Sequence, residues 1–151
     1  MLDSKEDDFM FTIVSATSDS DFRAVAQLYY DTWQQSYRGM IPQTFLDSLT
    51  PATWHPEKRQ ANTLLALVGN RIVGVCSYGP ARYLEYRSFG EVYSLYVHPS
   101  MQHQGIGRAL LKSALKRLDA EYEACYLVVL TQNFNAIALY ESQGFCMTDD
   151  R

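Results

Sequence analysis

The chain has 151 residues, of which 47% are hydrophobic and 20% charged, and a formal net charge of −4. That length and balance describe one globular domain able to bury a sizeable core. The acidity excludes a general nucleic-acid binder, which needs a basic face to displace counterions from phosphate.

Residues 1–10 are acidic and lack an apolar centre. They read as a flexible arm preceding a domain at 11–151, neither a secretion signal nor a membrane anchor. Residues 11–14 have the pattern of a first strand. Ser18-Asp19-Ser20-Asp21 then offers helix caps, and Phe22, Val25, Ala26, Tyr29 and Trp33 follow at amphipathic spacing. The segment 37–42 breaks that helix, and Pro42 suits the first turn of a short second one ending near Leu49. Around Trp54-His55-Pro56 the chain is loop-like or loosely helical. Residues 63–68 and 71–78 are apolar runs separated by Gly69-Asn70, a strong two-residue hairpin signal, and Gly79-Pro80 ends the second strand. From Gly90 through Val97 a further strand lacks clean alternation, as in a strand covered on both faces or interrupted by a bulge.

Gln102-His103-Gln104-Gly105-Ile106-Gly107 leaves that strand and opens a helix. Two glycines let the backbone approach a ligand closely, and the unpaired N–H groups of the first helical turn attract an anion. A plain glycine turn is the competing reading. Ile106, Ala109, Leu110, Ala114 and Leu118 form the apolar stripe of the helix, with Arg108, Lys112 and Lys116 on another face. Arg108 and Lys112 lie near the loop, where they either hold negative charge or form a solvated surface. Residues 125–130 are wholly apolar and predict a buried central strand. Asn133 then caps a helix through Ala136, Leu139 and Tyr140, closed by Gly144. The three cysteines, Cys76, Cys125 and Cys146, show no metal-like spacing. Together with the absence of a signal peptide they indicate reduced thiols and a cytoplasmic location, and no metal site is expected.

In this order the elements resemble the GNAT superfamily of N-acetyltransferases. Its pyrophosphate signature is Gln or Arg, two residues, Gly, one residue, then Gly or Ala, and Gln102, Gly105 and Gly107 fill it. Its second signature is matched by Asn133, Ala136, Leu139, Tyr140, Gly144 and Phe145. The resemblance implies an α/β (α+β) GNAT fold, a mixed, mostly antiparallel twisted sheet flanked by about four helices. A splayed parallel pair of strands binds acetyl-CoA as co-substrate. Backbone groups at Leu95, Tyr96 and Val97 are expected along the pantetheine. Gln102, His103, Gln104, Gly105, Ile106, Gly107 and Arg108 are expected to cradle the pyrophosphate, with Asn133 beside the cofactor.

The implied reaction is acetyl transfer to a primary amine of a small molecule or peptide, by direct attack in a ternary complex. The amine must arrive neutral or lose a proton, since an ammonium has no lone pair. Tyr140 occupies the family position of the acid that protonates the departing thiolate. Glu91 lies 11 residues ahead of Gln102, where histone-modifying members carry their catalytic glutamate; its other reading is a solvated strand end. Val128 stands where ribosomal-protein acetylases carry a glutamate, which argues against their mechanism. Trp33 and Tyr37 either line the acceptor cleft or staple the first helices together. Family members continue past Gly-Phe into further strands, whereas this sequence stops six residues after Phe145. A last strand is therefore expected to be missing, its edge covered by a second copy in a homodimer or by the N-terminal arm. The alternative function is a non-catalytic acetyl-CoA-binding module or sensor. A Rossmann reading fails because Leu130-Thr131 replaces the acidic residue that would bind ribose.

Overall fold

The computed structural model describes residues 10–148, so all but Met10 of the expected arm, together with the final Asp149-Asp150-Arg151, lies outside the described residues. The elements run β1 (Thr12–Ser15), α1 (Phe22–Ser36), α2 (Gln43–Asp47), β2 (Thr63–Val68), β3 (Arg71–Pro80), β4 (Gly90–Val97), α3 (Ile106–Asp119), β5 (Cys125–Leu127) and α4 (Phe134–Ser142). Short 3-10 turns at Pro51–Thr53, Pro56–Asn62, Leu84–Tyr86 and Pro99–Met101 fill the connections. Of the four candidate caps before α1 the chain uses Asp21, whose carboxylate accepts from the Ala24 N–H at 3.1 Å. In the Trp54-His55-Pro56 region, read as loop-like or loosely helical, Trp54 and His55 link two 3-10 turns and Pro56 begins the second.

All five strands form one sheet in the order β1-β2-β3-β4-β5. The first four are mutually antiparallel, and β5 lies parallel to β4. Gly69, with φ +60°, closes the β2–β3 hairpin at the Val68–Arg71 pair. On one face Leu64, Ala66, Val73 and Val92 pack with Ile106, Leu110, Leu111, Ala114 and Leu118 of α3. On the other, Leu65 and Val75 meet Val25, Leu28 and Tyr29 of α1. Each buried Val, Leu or Ile side chain contributes about 1.5–3 kcal/mol, and helices on both faces explain why these strands do not alternate cleanly. Gly74 sets how closely α3 lies on the sheet. A Cβ there would stand 2.9 Å from Leu110 Cδ1 and 3.3 Å from Ala66 Cβ.

The sheet register refines one expectation and departs from another. Gly79-Pro80 ends β3 from within it, since the ladder runs two residues past Tyr78 and both pair, with Glu91 and Gly90; proline is tolerated there as the terminal pair of the ladder. Residues 125–130 are not a buried central strand. Only residues 125–127 pair, at the outer edge of the sheet, while Val128 is 67% exposed and Leu130 39%. Among the described residues no strand lies beyond β5, so this apolar run has a neighbour on one side only.

The bulge is present and its position matters. Ser77 pairs with Ser94 and Tyr78 with Val92, leaving Tyr93 as the extra residue on β4. The parallel pairing with β5 also stops there, at Val92–Leu127. Gly79 makes room for the displaced ring, since a Cβ at that position would come within 2.6 Å of the Tyr93 hydroxyl.

Replacing Gly74 by Val overpacks the α3 face and costs about 1–3 kcal/mol. A lowered urea midpoint with an unchanged m-value is the expected result; coincident midpoints would dismiss the close approach of α3.

Candidate active site

Beyond Val92 and Leu127 the two parallel segments are no longer joined, and a cleft of about 1180 Å³ opens between them. Typical small-molecule pockets hold about 300–1,000 Å³, so this one has room for a long cofactor and a second molecule. The stretch Val92–Val97 forms one wall, including the predicted Leu95, Tyr96 and Val97; past the bulge its β5 side has no strand partner. Side chains and backbone divide the duties along it. Leu95 and Val97 pack into the α3 core, while Tyr96 points to α1, where its hydroxyl accepts from Trp33 Nε1 at 3.1 Å.

The glycine loop forms the end of the cleft, with Gln102, His103, Gly105, Ile106, Gly107 and Arg108 all lining it. Both His103 (φ +65°) and Gly105 (φ +84°) are left-handed, and Gly105 is the N-cap of α3. Such turns aim consecutive N–H groups at one point, and a 14-residue helix places its dipole behind them. Gln102 Nε2 donates to the Val97 carbonyl at 3.3 Å, which ties the loop back onto β4. Gln104 does not line the cleft; its buried Oε1 has no hydrogen-bond partner. Of the two helix cations singled out, Arg108 lines the site and Lys112 does not.

The opposite wall comes from α4 and α1. Asn133 accepts from the Ala136 N–H at 3.3 Å as the cap of α4, and Gly144 (φ +98°) follows its last turn. Asn133 and Tyr140 both line the cleft. The Tyr140 ring rests edge-on against Phe145 at 6.0 Å. Burial, reinforced by Cys76 and Tyr37 nearby, pushes its pKa well above the ordinary phenol value. Trp33 and Tyr37 reach the cleft, and the ring contacts they make are to Trp54 and to each other rather than to the second helix. In this aromatic cluster Trp33 lies 4.6 Å from Tyr37 and 5.9 Å from Trp54.

Glu91 is placed differently from the expectation of a general base. It is fully buried and does not line the cleft. One carboxylate oxygen accepts from the Arg82 backbone N–H at 2.9 Å and the Tyr126 hydroxyl at 2.7 Å; the other accepts from Arg82 Nε and Nη2 at 3.1 and 2.5 Å. Burial opposes its charge, but these donors outweigh burial and hold its pKa below the ordinary 4.5. An acid so engaged has no oxygen free for an acceptor's proton, and its role is to anchor β4 beside the bulge.

Arg82, Tyr93 and Thr32 line the cleft and escaped the sequence reading. A signal for Arg82 was available. A glutamate inside an apolar strand has to find a donor, and the turn after Pro80 brings the arginine back toward it. Neither Asp nor Glu lines the cleft, and its one imidazole is His103, on the loop. Among the described residues no His, Cys, Asp and Glu cluster could hold a metal, and no helix is long and apolar enough to cross a membrane.

The acetyltransferase (GNAT) family profile matches residues 22–145. A probable N-acetyltransferase of Mycobacterium tuberculosis is 30% identical over 140 residues, 87% of this chain and 78% of that protein. The uncharacterized N-acetyltransferase YuaI of Bacillus subtilis is 29% identical over 118 residues, 75% of this chain and 68% of that protein. The solved PaiA N-acetyltransferase of Thermoplasma acidophilum, in complex with coenzyme A, superposes with a TM-score of 0.77 at 19% identity, over 94% of this chain and 93% of that one. At that identity the likeness is one of fold.

Glu91→Gln removes the charge that Arg82 answers. Breaking a buried pair costs about 3–5 kcal/mol; Arg82 is 45% exposed, which reduces the expected loss to about 1–3 kcal/mol. Because the folded pKa is depressed, the wild-type advantage is complete above 4.5 and fades as pH falls through the lower folded value. Urea unfolding at pH 7 and pH 3 measures this. A gap between wild type and variant that widens in acid would refute the anchoring role.

Proposed function

Because the chain belongs to the acetyltransferase (GNAT) family, we propose that it transfers the acetyl group of acetyl-CoA to a primary amine of a small molecule or peptide, by direct attack in a ternary complex. One observation carries this reading: the β4 bulge coincides with the end of β4–β5 pairing, so a single cleft joins the glycine loop to Tyr140. Acetyl-CoA, when bound, supplies an activated thioester. The left-handed turns at His103 and Gly105, the first-turn N–H groups of α3 and the Arg108 guanidinium suit its pyrophosphate. The β4 backbone from Ser94 to Val97, without a strand partner on its β5 side, suits the amides of its arm.

Tyr140 is the acid in this reading. Burial keeps the phenol protonated across the working pH range, so it can donate a hydrogen bond to sulfur as the carbon–sulfur bond breaks. The wall offers no carboxylate base. Tyr37 and Tyr96, whose pKa values burial also raises, stay neutral there. An acceptor ammonium therefore loses its proton to water before attack. This favours an α-amino group, with a pKa of about 8, over a lysine near 10.4.

Acetyl-CoA is expected to raise the melting temperature and NAD to leave it unchanged; stabilisation by NAD alone would overturn the donor. Turnover is read as CoA release with a panel of amines. The alkaline-rising limb of the rate should move with the pKa of each acceptor, and a limb fixed at one pH for all acceptors would point to a protein base. Tyr140→Phe should lower kcat about a hundredfold with little change in acetyl-CoA affinity, and an undiminished kcat would remove Tyr140 from the mechanism.

A further inference from the structure

The acceptor end of the cleft carries charge of one sign only. Its wall is built from Trp33, Tyr37, Met40, Ile41 and Tyr83, with Arg82 as the cation among them. Arg82 is held in place rather than trailing into solvent. Its Nε and Nη2 grip the buried Glu91 carboxylate, while Nη1 takes no part in that pair. Its guanidinium lies over the Tyr93 ring at 4.7 Å, and Arg59 lies over the same ring at 4.2 Å. Two guanidinium groups thus converge on one cleft-lining ring, and the carboxylate among their partners is Glu91 alone. Among the described residues Arg59 has no ion pair. Glu91 answers Arg82, so the excess positive charge is that of Arg59, which lies over Tyr93 and does not line the cleft, while the cleft wall itself has no Asp or Glu. Thr32, 3% exposed on the inner side of α1, borders the cleft, but its hydroxyl is buried away from it.

We propose that Arg82 is a specificity residue that reads a carboxylate on the acceptor, and that the acceptor is an amino-acid-like amine whose carboxylate accompanies an apolar or aromatic body. This rests on the acetyl-transfer reading and narrows its substrate class. A preorganised guanidinium gives directional, charge-assisted hydrogen bonds to a carboxylate. The aromatic wall accepts an apolar side chain. Oligocationic amines such as spermidine meet a like charge and no counter-charge, so they are disfavoured. Glu91 serves this site at one remove, as the positioning residue that holds Arg82 still.

The test is calorimetric binding to the CoA-loaded protein, which reads the acceptor site whether or not turnover occurs; CoA release separately reads acetyl transfer. Phenylalanine, phenethylamine and spermidine are the probes, the first two differing only in the carboxylate. Phenylalanine is expected to bind at least about tenfold more tightly than phenethylamine, as one charge-assisted hydrogen bond would give, with spermidine weakest. Arg82→Lys keeps the charge facing Glu91 but loses the planar fork, and should bring the phenylalanine-to-phenethylamine ratio close to one while acetyl-CoA still stabilises the protein. Equal binding of the two by wild type, no binding of phenylalanine, tighter binding of spermidine, or an unchanged ratio in Arg82→Lys would each overturn the proposal. If discrimination is seen without CoA release with any amine, the acceptor site stands and the acetyl-transfer reading falls.

Discussion

A carboxylate cannot be buried in a sheet without donors, and the position of the cleft depends on how Glu91 meets that requirement. Its partners come from both neighbouring strands. Arg82 follows the end of β3, and Tyr126 is the residue opposite Glu91 on β5. The three strands are thereby fastened one residue before Val92, and immediately after it β4 gains the extra residue Tyr93 and pairing with β5 ceases. A charge network of this kind adds little net stability over apolar packing, yet it penalises any other register by stranding a charge. The cleft opens at a defined place because the last paired rung is so costly to shift.

The same local economy explains why function gathers on β4. One strand donates Val92, Leu95 and Val97 to the α3 core, Tyr96 to the α1 aromatic cluster, and its backbone to the cleft. Ser94 adds a buried link, with its hydroxyl 2.6 Å from Ser77 and 3.2 Å from Tyr29. Most of the strand's side chains brace the two faces of the sheet, and past the bulge its main chain has no partner on the β5 side.

Much of this was legible in the sequence where a local rule and the tertiary context agreed. Gly69-Asn70 fixed a hairpin because a left-handed turn residue is needed there, and Asp21 and Asn133 capped their helices for purely local reasons. Gly105 was readable as a left-handed helix entry. What failed was neighbourhood. Residues 125–130 have the composition of a buried strand, but composition does not say whether a strand lies on both sides, and here half the run faces the cleft and solvent. Glu91 was read as either a base or a solvated strand end, and it is instead fully buried away from the cleft. Whether a carboxylate serves chemistry or architecture is decided by its donors; the need for one was readable at Glu91, but the exact partners that the turn after Pro80 and β5 supply were not. Arg59 and Tyr93 meet across separate elements and were invisible for the same reason.

The aromatic cluster at the end of α1 has an optical consequence. The chain contains two tryptophans, Trp33 and Trp54, and their rings lie 5.9 Å apart, with Trp33 on the cleft wall and Trp54 stacked behind it on Tyr29. All tryptophan emission from this chain thus originates in one corner, beside the cleft. The native chain carries its own fluorophore at the mouth of the site, and its polarity there can be followed without label or mutation.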